Sequence, residues 1–269
     1  MKIFYTRAIS LIFFALFLGP ASFSQDWNEV VKATAPDRAV DDFFGESVSI
    51  SGNYAIVGAV KEDEDTTGGN TLLSAGSAYI FEQNGLGGWN KVQKIVASDR
   101  AAGDWFGYSV SISGDYAIIG ARLEEEDTTG GNTLNRSGSA YIFERNGLGE
   151  WNEVQKIVAS DRAIGDLFGS TVSISGDYAI VGAALEDEDT TGGNTLLSAG
   201  SAYVFERNGL GGWNEVQKIV ASDRAVDDNF GSSISISGNY AIVGAVNEDE
   251  DATGNNALSN AGSVYIFQN

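Results

Sequence analysis

The chain has no cysteine and no histidine, two prolines, and 16 basic residues against 37 acidic ones in 269 positions. Without cysteine there is no disulfide framework and no thiol nucleophile, and without histidine there is no Ser-His-Asp triad. The usual nitrogen and sulfur zinc sites fall with them. Hydrolysis by a pair of carboxylates is the catalytic chemistry left open. A formal charge of −21 makes nucleic acid and anionic lipid poor partners and favours cations and basic surfaces. Long apolar runs are also missing. The longest, Ile9 to Leu18, is shorter than the roughly 18 residues of a membrane helix, so no transmembrane segment is expected.

That run belongs to an N-terminus with the organisation of a secretory signal peptide. Lys2 and Arg7 precede it, and Ser22-Phe23-Ser24 offers a small-residue cleavage site before Gln25. Residues 1–24 are read as the signal peptide, which places the protein outside the cytoplasm: secreted, on the cell surface or in the periplasm. Residues 25–269 remain, enough chain for a hydrophobic core.

What is abundant is glycine, with 34 residues, and repetition. Trp-Asn recurs at Trp27, Trp89, Trp151 and Trp213, and Phe-Gly at Phe44, Phe106, Phe168 and Phe230, always 62 residues apart. Each repeat reads as four strands. Ser47 to Ser51 alternates strictly, Gly52-Asn53 is a two-residue hairpin turn, and Tyr54 to Ala59 is an apolar second strand. Ser77 to Glu82 is a third, joined through the Gly-rich turn Asn84 to Gly88 to a fourth, Trp89 to Ala97. The serine-only face of the first strand suits a crowded axis, and the polar fourth strand suits an outer edge. The fold class expected is all-β: a β-propeller of four four-stranded antiparallel blades over residues 25–269. A lone fourth strand at Trp27 to Thr34 precedes three full sets, and a first-second-third set ends the chain. The N-terminal strand is therefore expected to close the last blade of a monomeric ring. An open array, or two chains forming an eight-bladed ring, are the alternatives.

The run from Phe106 through Ser109-Val110-Ser111-Ile112-Ser113, the turn Gly114-Asp115, and Tyr116 to Gly120-Ala121 resembles an FG-GAP repeat, followed in each copy by a segment like Gly76-Ser77-Ala78-Tyr79-Ile80-Phe81. FG-GAP repeats build the integrin α-subunit propeller and many secreted bacterial proteins, so the resemblance implies propeller blades and a binding or adhesion role. Integrin-type calcium loops lie between the first two strands. Here that connection is a two-residue turn, so the family's calcium site does not transfer.

The connection between the second and third strands, Val60 to Ala75, is long enough to suggest function. Each copy carries four consecutive acids: Glu62 to Asp65, Glu124 to Asp127, Glu186 to Asp189 and Glu248 to Asp251. Strand direction puts these loops and the fourth-to-first loops on one face, which should be strongly negative. Asp63, Asp65 and Thr67 lie at alternate positions before a Gly, as at the start of a calcium loop. Glu125, Asp127 and Thr129; Asp187, Asp189 and Thr191; and Asp249, Asp251 and Thr253 repeat them. Position twelve, where a bidentate Glu belongs, holds Ser74, Arg136, Ser198 and Asn260. These loops are either solvated acidic surface or Ca2+ ligands completed by Asp99 or Asp104.

Trp89, Tyr79, Tyr54 and Phe81 recur in register and are expected to pack between blades. The residues around Phe-Gly vary: Phe43, Trp105, Leu167 and Asn229 before it, Glu46, Tyr108, Ser170 and Ser232 after it. Asp99-Arg100 reads as a loop-fixing ion pair. Near-perfect repetition argues against a unique active site, so no catalytic residue is assigned. The function expected is a non-catalytic extracellular binding or adhesion module for a protein or glycan ligand. A lectin-like propeller and a carboxylate-dependent hydrolase are the alternatives.

Overall fold

Alternation followed by Gly-Asn or Gly-Asp dictates a hairpin. The computed structural model, which describes residues 27–254 and 257–269, contains that hairpin in all four repeats. In the first, β1 (Phe44–Ser51) pairs with β2 (Tyr54–Ala59). Gly52 takes a φ of +56° while Asn53 stays at negative φ, the pattern of a type II′ turn. The strands β3 (Ser77–Gln83) and β4 (Trp89–Ile95) follow, in the sheet order β1-β2-β3-β4.

The second blade repeats this as β5 (Phe106–Ser113), β6 (Tyr116–Ala121), β7 (Ser139–Arg145) and β8 (Trp151–Ile157). The third comprises β9 (Thr171–Ser175), β10 (Tyr178–Ala183), β11 (Ser201–Arg207) and β12 (Trp213–Ile219). The fourth has β13 (Phe230–Ser237), β14 (Tyr240–Ala245) and β15 (Ser263–Gln268). The architecture is all-β, with four antiparallel propeller blades of 4, 4, 4 and 3 strands among the described residues. No helix long and apolar enough to cross a membrane occurs among them.

Residues 33–269 form one unit, and residues 27–32 belong to another. Residues 27–34 carry no regular secondary structure. The strand expected there is therefore not formed, and the fourth sheet stays at three strands. The signal peptide read over residues 1–24 lies outside the described residues.

Blades pack in chain order, with β1, β5, β9 and β13 side by side, and each of the three junctions has its own core. In the first, Ile56, Ile80 and Ile95 meet Phe106, Val110, Ile112 and Trp151 of the next blade. The serine face meets neighbouring backbone, as a crowded axis requires. The Ser47 hydroxyl donates to the Gly107 carbonyl at 2.8 Å, and Ser49 Oγ accepts the Ile112 N–H at 3.2 Å. At Phe-Gly the register shifts between Phe106 and Ser109, and Gly107, at φ +87°, bends the chain there.

The recurrent aromatics divide between two tasks. Tyr54 packs across the junction on Trp151, with ring centroids 5.8 Å apart, whereas Tyr79 and Phe81 pack on Phe44 within the first blade and their counterparts Tyr141 and Phe143 also belong to the core of the first junction, as expected.

Among the described residues the first and fourth blades share no packed junction like the other three, so the ring expected within one chain is not closed. Val48 and Ile50 are 69% and 65% exposed, whereas Val110 and Ile112, one repeat later, are 7% and 4% exposed. The three junctions repeat one packing, and four blades joined that way leave the two end faces apart.

Candidate functional site

The loop between β2 and β3 and the loop between β4 and β5 meet at one end of the blades, as strand direction requires. Arg100 joins them, donating to the carbonyls of Asn70 and Asp63 at 2.8 Å each. Arg162 and Arg224 do the same in the next two blades. The Asp99-Arg100 ion pair is not formed. Asp99 turns to the Lys156 ammonium, at 2.7 Å, and accepts the Tyr141 hydroxyl at 2.8 Å. The physical reason is division of labour: a buried lysine needs an anion, while the loop carbonyls need a donor with several fixed N–H groups.

In the acidic loops, Asp65 Oδ1 accepts the Thr67 N–H (2.8 Å), the Thr67 hydroxyl (2.7 Å) and the Gly69 N–H (3.2 Å). Asp127 with Thr129, Asp189 with Thr191 and Asp251 with Thr253 repeat the Asp-Thr arrangement. The Thr129 hydroxyl and N–H hold the Asp127 carboxyl down to about 2. Asp63 accepts the Ser74 N–H, Asp187 that of Ser198 and Asp249 that of Asn260. Glu125 instead takes the Asn135 side-chain amide. The candidate metal residues thus come together by hydrogen bonds within each loop. In three copies the first carboxylate is tied directly to the backbone of position twelve, a link that a calcium loop makes through its ion.

One acid of each quartet leaves the solvated face, which its charged neighbours gave no reason to expect. Glu62, Glu124, Glu186 and Glu248 are buried. Lys156 Nζ lies 3.4 Å from Glu124 and 2.7 Å from Asp99, and the Tyr141 hydroxyl donates to both carboxylates. Lys94 and Lys218 repeat this with Asp37 and Glu62, and with Asp161 and Glu186. The signal in the sequence was a lysine at a fixed place in every fourth strand.

Asp104, also buried, stands next to this network and accepts the Ala101 N–H. Burial and then the Glu124 charge push its carboxyl up to about 7, and burial and then the Glu186 charge raise Asp166 to about 7. Burial raises Asp228 to about 6, with Glu248 adding to it. A carboxyl raised on folding stabilises the fold when protonated. That stability is complete below the unfolded value and is lost as pH climbs through the folded one. The melting temperature is therefore expected to rise between pH 8 and pH 5, each carboxyl contributing on the order of 1–2 kcal/mol. Melts recorded across that range check it, and Asp104→Asn should flatten part of the step.

Repeat symmetry breaks at the first junction. Trp105 and Tyr108 stack at 6.2 Å and 23°, and the Arg122 guanidinium lies 3.8 Å from the Tyr108 centroid and 4.9 Å from that of Trp105. Lys61 reaches over Phe43 at 4.4 Å and Trp105 at 5.8 Å. The third and fourth blades have Leu167 and Ser170, and Asn229 and Ser232, at these positions. Phe43, Trp105, Leu167 and Asn229 all adopt left-handed backbone, at φ 54° to 61°. Asparagine takes it readily, but a bulky aromatic side chain there is held under strain.

A family model described as FG-GAP repeat matches residues 27–81, 89–143, 151–205 and 213–267. No curated protein matches the chain. Each matched segment begins at a Trp-Asn and ends at the last aromatic of a third strand, so the family unit and the 62-residue period coincide. With four matches covering most of its length, the chain belongs to the FG-GAP repeat family.

Proposed function

We propose that the protein is an exported, non-catalytic binding or adhesion module for an extracellular protein, and that Phe43, Trp105 and Tyr108, with Lys61 and Arg122, form its main contact patch. The observation that carries this is the broken symmetry. Among the described residues, four nearly identical blades place Phe43, Trp105 and Tyr108 with Lys61 and Arg122 at the first junction, on strained backbone, while the equivalent positions of the third and fourth blades carry Leu167 and Ser170, and Asn229 and Ser232. Tryptophan, tyrosine and arginine are the residues that dominate interface energies. FG-GAP propellers are typically non-catalytic, and repeated surroundings leave no unique constellation for an acid and a base.

Trp105→Ala is expected to weaken adhesion to a protein-coated or cell surface at least tenfold, while Leu167→Ala in the third blade changes it less than twofold. A glycan array alongside separates the readings. Binding to glycans alone would replace the protein ligand with a lectin function, and turnover of a chromogenic glycoside would end the non-catalytic reading.

Calcium support of the loops is a second reading. Asp161, Glu186 and Glu188 each bring one carboxylate oxygen within 4.8 Å of the others, a grouping compatible with a cation. Lys218 already lies 2.7 Å from Asp161 and 3.4 Å from Glu186, so an ion there would have to displace an ammonium. Equal melting temperatures in excess chelator and in millimolar calcium would remove this reading.

A further inference from the structure

We infer that a second copy of this chain seats head to tail on the fourth blade, its Trp27–Thr34 segment supplying the missing outer strand, and that two copies close in this way into an eight-bladed ring. This is independent of the ligand patch.

The fourth blade lacks one coherent set of groups. Its Tyr265 hydroxyl donates to Asp223 at 2.7 Å and to Glu248 at 3.2 Å, as the tyrosine does in every blade. In the other three blades a lysine of the outer strand neutralises the matching carboxylates. Among the described residues no lysine or arginine pairs with Asp223, Glu248 or Asp228. Counting back along Lys218, Lys156 and Lys94 at the 62-residue period reaches Lys32, which is exposed.

The tryptophans give the same answer from different chemistry. Trp151 is 1% exposed against Tyr54, with Gln93 accepting its backbone N–H at 2.9 Å and donating to its carbonyl at 2.7 Å. Trp213 repeats this on Tyr116 and Gln155, with the same 5.8 Å and 69° ring geometry. The next members of the series, Tyr178 and Gln217, line a cleft of about 390 Å³ with Tyr240 and Phe267, and no tryptophan occupies it. Trp27 is the residue in register, and it is 102% exposed. The family match also starts a repeat at residue 27.

The two end faces match in the same way. Val48 and Ile50 on the first blade are the counterparts of buried Val110 and Ile112. Ile242, Val264 and Ile266 on the fourth are exposed, while their counterparts Ile118, Ala140 and Ile142 are buried at the second junction. A new junction would therefore reuse an interface the chain already makes three times.

The occupant is a second copy because of where the segment is rooted. Ala35 is buried, and Asp37 is held by Lys94 and Tyr79 of the first blade. Seating the strand on its own fourth blade would require the first and fourth blades to meet and all three junctions to change. Seating it on another copy leaves them as they are. Two-fold closure then makes two identical new junctions, and eight blades fall within the range propellers adopt.

The test joins Ser235 to Ile50. At the first junction the corresponding pair, Ser49 Oγ and the Ile112 N–H, stand 3.2 Å apart, so Ser49→Cys with Ile112→Cys is the control within one chain. The chain has no cysteine of its own, so an oxidised Ser235→Cys with Ile50→Cys variant reports one contact. The expected product is a covalent pair of chains, from a native protein whose mass by light scattering is twice that of one chain. Trp27→Ala and Lys32→Met should each weaken association at least tenfold. A disulfide within single chains, or a native mass of one chain, would overturn the inference.

Discussion

Replacing Gly120 with alanine is expected to cost more than about 3 kcal/mol, while the same change at Gly244 costs less than about 1 kcal/mol. Both glycines occupy the same place in the second strand of a blade. A Cβ on Gly120 would overlap the Gly169 carbonyl oxygen, which is backbone of the next blade. It would also fill the space through which the Ser109 hydroxyl donates to that carbonyl at 2.8 Å. Gly169 cannot retreat, because it sits at φ +87° with the Ser139 carbonyl behind it. At Gly244 the nearest atom to an added Cβ is the Ser233 hydroxyl, which can rotate away. Urea denaturation of both variants in the Trp27→Ala background keeps chain association out of the comparison. Equal losses would mean that the junction is not what the glycine protects.

This contrast marks where sequence was a good guide. The period and the hairpin turns were legible, and Tyr54–Ala59 appears as read, because alternation and turn chemistry act between neighbours in the chain, whereas the first strand begins at Phe44 instead of Ser47 and the fourth stops at Ile95 instead of Ala97. The blade-to-blade angle is not local. It depends on how Ile56, Ile80 and Trp151 fill one junction, so a balanced count of strands could suggest a closed ring without showing that four blades suffice. The acidic quartets misled for a related reason. Glu62 to Asp65 reads as a solvated run, and only Lys94 and Asp37, distant in sequence, show that Glu62 turns inward. Lys94, taken as a polar residue of an outer edge, is among the most buried charges of its blade. The candidate contact patch was legible as variation at Phe43, Trp105 and Tyr108, but Lys61 and Arg122 join it only through the fold.

The largest electrostatic effect is expected from Lys156→Met, a loss of about 3–5 kcal/mol at pH 8. The substitution fills the same volume and leaves Asp99 and buried Glu124 without their cation, beside Asp104. The sign of its pH dependence follows from that. Lys156 lowers the Asp104 carboxyl, so its removal raises the folded value further, and the folded state gains more from protonation. The loss should therefore shrink as pH falls from 8 to 5, a range over which an exposed ion pair, whose carboxylate titrates at about 4, would show a constant loss. Lys156→Met with Glu124→Gln should recover part of it at pH 8. The fourth blade already resembles this variant, with Tyr265, Asp223 and Glu248 in place and no lysine among the described residues. Amide protection, corrected for the intrinsic exchange rate, should accordingly be lower in β13–β15 than in β5–β11 in the Trp27→Ala chain, and the difference should narrow at pH 5. If Lys156→Met melts at the wild-type temperature at pH 8, the buried network contributes nothing to the fold.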